Sequence, residues 1–213
     1  NFALGNLFRR RGETDRAIRM HKNILDRVDL AEEQRLHALY ELGQDYLKAG
    51  MLDRAEEMLA KLRESKMRGE AQRSLLEIYQ LEKDWIKAIE VARALEADSG
   101  ENRQREIANF YCEIAALDMT HSRLDDAQAN LSRALGANRK SVRASCQLGE
   151  LHASRGQHEA AIDAWKRIEQ QHPEFLALVA GRMLESFRAT GRMEEGLQLI
   201  RGYLTRYPSL DLL

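Results

Sequence analysis

A small residue returns along this chain at near-regular intervals: Ala17, Ala55, Ala88, Ala127, Ala161 and Gly196, with spacings of 38, 33, 39, 34 and 35. A second series, Gly12, Gly50, Lys83, Ser122, Gly156 and Gly191, runs through the same five spacings, always five residues ahead of the first. Two series in step predict one supersecondary unit copied six times. Apolar residues around each pair keep helical spacing, as in Leu42, Gly43 and Tyr46 before Gly50, and Ala55 and Leu59 after it. Each unit therefore reads as two helices folded back on each other. The Gly12 series marks the turn, and the Ala17 series marks a close contact between the helices. The two prolines, Pro173 and Pro208, occupy the same place in consecutive units, where the second helix is expected to stop.

The order Leu-Gly-x-x-Tyr, Gly, Ala, then a large apolar residue, as it runs from Leu42 to Leu59, resembles the tetratricopeptide repeat. The resemblance implies an all-α solenoid of about six helix pairs in a right-handed superhelix. Repeats are expected at about 1–31, 36–66, 69–98, 108–140, 142–175 and 177–210, in a single array spanning 1–213. One helix pair cannot bury its own apolar stripe, and stacking on the next pair buries both. Leu4, Gly5 and Phe8 are expected to face inward in the first pair, and His21 and His152 also fall at inward positions. Gly5, Gly43 and Gly149 lie inside helices, where each costs about 1 kcal/mol relative to alanine. Close helix approach is the expected compensation.

Net charge is −1 with 31% charged residues, so nothing draws the chain towards nucleic acid. No run of 18 apolar residues is present, so no span of a bilayer is expected, and no signal peptide is read. Asn1 falls inside a repeat, as expected of a piece of a longer chain. His21, His37, His121, His152, His158 and His172 never pair at the i, i+4 spacing of a helical metal site, so no metal or other cofactor is expected. Cys112 and Cys146 hold equivalent positions of neighbouring units. First helices about 8–10 Å apart are too distant for a disulfide, which needs about 4.4–6.8 Å between Cα atoms, so two reduced thiols are expected. No Cys-x-x-Cys, phosphate-binding glycine loop or Ser/His/Asp arrangement points to an enzyme. Asp53, Asp84 and Asp125 stand where second helices begin, as capping residues do. The run Arg9-Arg10-Arg11 ends the first helix, where cations complement the dipole.

The first helices of such an array line its concave face, the default surface for a protein partner. In this register that face carries Asn6, Arg9, His37, Tyr40, Gln44, Arg73, Glu77, Asn109, Cys112, Met119, Arg143, Cys146, Glu150, Glu185 and Arg188. The mixture of charged, amide, aromatic and sulfur side chains suits a peptide or a folded segment. The Lys and Asn pattern with which some arrays clamp a C-terminal carboxylate is missing, since Phe2, Tyr40, Arg73, Cys112 and Cys146 stand at those places. That disfavours a clamp for chaperone tails, and a general peptide-binding scaffold or co-chaperone stays as the alternative reading.

Three strings are more telling than the repeat consensus: Asn6-Leu-Phe-Arg9, Arg16-Ala-Ile-Arg19 and Phe110-Tyr-Cys-Glu113. With them the chain resembles the lipopolysaccharide assembly protein B family, most strongly up to about Ala115. The resemblance implies a non-enzymatic adaptor on the cytoplasmic side of the Gram-negative inner membrane. Such an adaptor links the lipid A deacetylase LpxC to the membrane protease FtsH, under an inner-membrane regulator, and so restrains lipopolysaccharide synthesis. Contact with lipopolysaccharide itself and a homodimer are further possibilities that the resemblance raises. The family's membrane anchor and zinc module have no counterpart in these residues, so no cofactor is expected in this chain.

Overall fold

The computed structural model describes residues 2–212 of the chain, and among them twelve α-helices and one 3-10 helix are found and no strand. The helices are α1 Phe2–Arg10, α2 Thr14–Leu25, α3 Glu32–Lys48, α4 Leu52–Ala60, α5 Arg68–Glu82, α6 Trp85–Ser99, α7 Gln104–Thr120, α8 Leu124–Ala137, α9 Val142–Ser154, α10 His158–Gln171, α11 Ala180–Ala189 and α12 Met193–Arg206. The 3-10 helix, Pro173–Leu178, joins α10 to α11. The chain gathers into two compact units divided after Asn102, the first holding α1 to α6 and the second α7 to α12. Both prolines stand two residues beyond a helix end, Pro173 after α10 and Pro208 after α12.

The Gly12 series is a set of left-handed turns: φ is +80° at Gly12, +73° at Gly50, +58° at Lys83, +57° at Ser122, +71° at Gly156 and +72° at Gly191. One amide closes each turn from the far side. Glu13, Met51, Asp84, Arg123, Gln157 and Arg192 donate to the carbonyls of Phe8, Tyr46, Tyr79, Asp118, His152 and Phe187, over 2.8–2.9 Å. This is the six-to-one bond of a helix-ending Schellman turn, which wants an αL residue at the Gly12 position. Lys83 and Ser122 are exposed and carry a Cβ there. Left-handed backbone costs an L-residue about 1–2 kcal/mol, against about 0.4–1 kcal/mol for the extra unfolded-state freedom of glycine. Lys83→Gly and Ser122→Gly are therefore each expected to stabilise by about 0.5–1 kcal/mol. Urea midpoints read this, and an unchanged or lower midpoint for both variants refutes it.

Packing within a pair is set by a small residue facing a large one. A Cβ on Gly5 would lie 2.5 Å from the His21 ring, one on Gly43 2.9 Å from Leu59, and one on Gly149 2.1 Å from the Trp165 indole. Each partner is sixteen residues further on. In the third and fourth pairs the same positions hold Leu76 with Ala92 and Ala115 with Leu131, all four buried. The sizes are exchanged in the third pair and kept in the fourth. The last pair holds Leu184 and Ile200, and there Gly196 yields instead, since a Cβ added to it would lie 2.8 Å from the Phe187 ring. The rest of the small series, from Ala17 to Ala161, is fully buried.

Asp84 caps α6, accepting from the Lys87 amide at 3.2 Å. Asp53 and Asp125 do not cap. Helices α4 and α8 begin at Leu52 and Leu124, which places both aspartates inside the first turn, where the dipole still favours them. Leu4 does not face inward either. It is 42% exposed, because α1 packs only its Gly5 face on α2 and α3.

Candidate functional site

In the first unit the side chains expected to meet a partner largely meet each other. Arg9 donates to the Glu41 carboxylate at 2.6 Å, to the Glu41 carbonyl at 3.1 Å and to Asp45 Oδ1 at 2.8 Å. Asp45 is fully buried, and its Oδ2 lies 2.5 Å from Nδ1 of His21, itself fully buried. Asn6 donates to Glu41 Oε1 at 3.3 Å, and His37 Nε2 lies 3.5 Å from the same atom. Burial opposes the charge on Arg9, but the hydrogen bonds from Glu41 and Asp45 outweigh it and hold the guanidinium above its ordinary pKa. Arg9 and Asn6 thus tie α1 to α3 rather than standing open. The Phe2 ring covers the group, 6.0 Å from the His21 ring and 4.5 Å from the His37 ring.

A buried Asp–His pair invites a catalytic reading, which the surroundings remove. His21 Nε2 is buried without a hydrogen-bond partner and points at the Gly5 backbone, at a place too tight for even one added methyl group. No substrate atom reaches it. No group of three or more metal-ligating side chains occurs among the described residues.

The remaining first-unit candidates differ in exposure. Gln44 donates to Ser74 Oγ at 2.5 Å and so bridges α3 to α5. Tyr40 is half-buried, while Arg73 and Glu77 are exposed, with Arg73 4.0 Å from Glu101.

In the second unit Asn109 and Arg188 are exposed, and Met119 packs its side chain partly against the core. Arg143 bridges α9 to α7 through Glu113 at 2.8 Å. Cys112 is the clear correction. It is fully buried among Ala108, Ala115, Ala144 and Leu148, because α7 packs directly on α9. Both cysteines are free, as expected. Burial pushes the Cys112 thiol up to about 11, against the pull of Arg143 and Ser141, and burial also raises Cys146, against Arg182. The fold therefore favours the neutral Cys112 thiol. That contribution is complete below the ordinary thiol value of 9.0 and is lost as pH rises through about 11. Iodoacetamide at pH about 8 is expected to modify half-buried Cys146 first and to leave Cys112 intact until the unit unfolds. Mass spectrometry of the alkylated chain checks this, and equal rates at the two sites contradict it.

Further along, α9 and α11 do not approach as closely as α7 and α9 do. Between them opens a cleft of about 480 Å³, lined by Glu150 and Ala153 of α9, His158 and Trp165 of α10, and Arg182, Glu185 and Ser186 of α11. Arg182 and Glu150 form an ion pair across it. The inserted 3-10 helix, anchored by fully buried Leu176, is the local element that separates α10 from α11. Of the cleft residues, Glu150 and Glu185 stand among the fifteen picked from sequence.

Comparison with known proteins matches the tetratricopeptide repeat over residues 37–65 and 113–174. Over 203 residues the chain is 37% identical to lipopolysaccharide assembly protein B of Escherichia coli K12, which covers 94% of this chain. The chain belongs to the lipopolysaccharide assembly protein B family. The same protein of Haemophilus influenzae is 34% identical over 173 residues, 81% of this chain and 43% of its own length. The chain spans about half the length of the family member from E. coli, 52%. Among solved structures, a tetratricopeptide repeat protein from Parabacteroides merdae is 18% identical with a TM-score of 0.48, over 95% of this chain and 77% of its own. A crystal structure of MamA is 20% identical with a TM-score of 0.43, over 94% and 92%. No described helix is long and apolar enough to cross a membrane.

Proposed function

We propose that this chain is the protein-binding part of a non-enzymatic adaptor that regulates lipopolysaccharide synthesis, bringing the lipid A deacetylase LpxC to the protease FtsH at the cytoplasmic side of the inner membrane. The single observation carrying this reading is the 37% identity to lipopolysaccharide assembly protein B, held over 94% of the chain. The physical chemistry agrees with an adaptor. Helix pairs of this kind bury one stripe and offer the other, and the buried His21–Asp45 pair has no room for a substrate. The exposed first-helix residues Arg73 and Glu77 in one unit, and Asn109 and Arg188 in the other, with half-buried Glu150, are the proposed contacts. Neither the Arg9 network nor Cys112 belongs to that surface.

The test is a pull-down from detergent-solubilised Gram-negative envelope with the immobilised chain, read by quantitative mass spectrometry. Enrichment of the deacetylase or the protease is expected, and Arg73→Glu is expected to lower it without changing the thermal melt. Recovery of neither, with a folded chain on the resin, refutes the adaptor reading. Capture of chaperones alone would favour the general scaffold instead.

A further inference from the structure

The third helix pair departs from its own repeat at the α5–α6 turn. Three residues past the turn residue the other five pairs carry an acid: Asp15, Asp53, Asp125, Glu159 and Glu194. All fall in the first turn of a second helix, where the dipole favours negative charge. The third pair puts Ile86 there, 65% exposed. Two residues before the turn residue the other pairs carry Arg10, Lys48, Thr120, Ser154 and Ala189, and the third carries Leu81, 58% exposed. Half-buried Trp85 adjoins Ile86 in sequence. The turn gives up a favourable charge and leaves two large aliphatic side chains in water, which nothing in the packing of α5 on α6 requires.

The neighbouring α3–α4 turn continues this surface. A hollow of about 460 Å³ is lined there by Gly50, Met51, Leu52, Asp53 and Arg54, with Met51 exposed. Asp53 and Glu56 of α4 act on the Glu82 carboxyl, which places the two turns side by side. The edge is net negative, with Asp53, Glu56, Glu82 and Asp84 against Arg54, Lys83 and Lys87. Partial burial and the carboxylates of Glu56, Asp53 and Asp84 hold Glu82 above its ordinary pKa, and Lys87, which opposes them, is outweighed. Lys87 is already shared between Glu56 at 3.6 Å and Asp84 at 3.7 Å, and Arg54 lies over the Tyr46 ring.

We infer that this edge of the first unit docks a short amphipathic segment of a protein partner, one whose apolar side chains are flanked by lysine or arginine. The apolar side chains cover Leu81 and Ile86 and reach the hollow beside Met51, taking out of water the aliphatic surface that the turn leaves exposed. The flanking cations meet Asp53 and Glu82, which have no ion-pair partner within 4 Å among the described residues. The same carboxylates repel an anionic membrane surface, so a lipid headgroup layer is the wrong occupant. This inference rests on the adaptor reading for the existence of a partner. It adds a second contact, at a helix turn rather than on the first-helix face, and the chemistry of the segment that fills it.

The test is a titration of the full 213-residue chain with a blocked helical peptide carrying leucines and lysines along one face. Two control peptides replace lysine by glutamate or leucine by alanine. The reporters are the NMR methyl signals of Leu81 and Ile86 and the indole N–H of Trp85, with Trp165 of the second unit as internal control. The leucine–lysine peptide is expected to shift the three reporters saturably and to bind about tenfold more tightly than either control peptide. Leu81→Thr combined with Ile86→Asn is expected to abolish that binding with an unchanged melt, since both side chains are exposed. Asp53→Asn combined with Glu82→Gln is expected to remove the preference for lysine over glutamate. Equal binding of the three peptides, no shift at Trp85, or unaltered affinity in the Leu81 and Ile86 variant overturns the inference. Phosphatidylglycerol vesicles and sedimentation velocity address the other occupants. Vesicle binding or self-association that the Leu81 and Ile86 variant abolishes assigns the edge to a membrane or to a second copy, and overturns it as well. The envelope pull-down separates the two claims. If the unmodified chain enriches its partners and the Leu81 and Ile86 variant does so equally, the docking edge is refuted and the adaptor stands. If the unmodified chain enriches nothing, the adaptor falls while the peptide titration still decides the edge.

Discussion

Asp45→Ala is expected to destabilise the first unit by about 3–5 kcal/mol, the usual result of removing one partner from a buried ion pair. Asp45 is fully buried and holds two groups at once, Arg9 from α1 and His21 from α2. Its removal leaves His21 with neither ring nitrogen hydrogen-bonded, because Nε2 already has no partner. It also leaves Arg9 with Glu41 alone. Asp45→Asn keeps an acceptor of the same size and is expected to lose less, so the ranking Asp, Asn, Ala separates lost charge from lost shape. Circular dichroism melts should drop on the order of 10 °C for the alanine variant. The change is expected in the transition of the first unit, with the fluorescence of Trp165, read in a Trp85→Phe background, reporting the unfolding of the second separately. A loss below about 1 kcal/mol would mean that water replaces the carboxylate, and would refute the network as what fixes α1 and α2 to α3.

Gly149→Ala is expected to reverse the usual sign of a helical glycine substitution. In an open helix this change gains about 1 kcal/mol. Here the new methyl group would sit 2.1 Å from Trp165 Nε1, and Trp165 cannot withdraw. The indole is 1% exposed, fills the contact between α9 and α10, and is fixed by its bond to the Cys146 carbonyl. The helices must separate or the ring must turn and lose that bond. Overpacking of about 1–3 kcal/mol or more and a lost hydrogen bond of about 0.5–1.5 kcal/mol exceed the helix gain. A net loss of about 0.5–3.5 kcal/mol is expected, with a red-shifted Trp165 emission read in a Trp85→Phe background. Gly181→Ala is the matched control, since nothing lies within 4 Å of its Cβ position in α11. It should be neutral or stabilising, and equal behaviour of the two variants would refute the steric account.

How far the sequence could be read varied with the range of the forces involved. The six turn residues and the small series were legible because each answers a local demand: a left-handed backbone five residues before a close helix contact. Lys83 and Ser122 were found although they are not glycines, because the spacing marked them. The Asp53 and Asp125 positions were misjudged by two residues, within the range over which a carboxylate favours a helix start whether or not it caps. The charged residue on the inward stripe of α3, Asp45 between Leu42 and Tyr46, was a signal that the periodicity carried and that points to a buried partner.

Cys112 and Cys146 mark the limit. They share one repeat position, yet the first is fully buried and the second half-exposed. The sequence by itself determined which residues turn, which helices pair, and that glycine or alanine must stand where they touch, because backbone dihedrals and neighbouring side chains along one helix decide these. Only the tertiary structure decided that Arg9 turns inward to Asp45, that α9 closes over Cys112, and that α9 and α11 part near Trp165. Those outcomes depend on how closely one helix pair approaches the next, a distance set by side chains more than thirty residues apart.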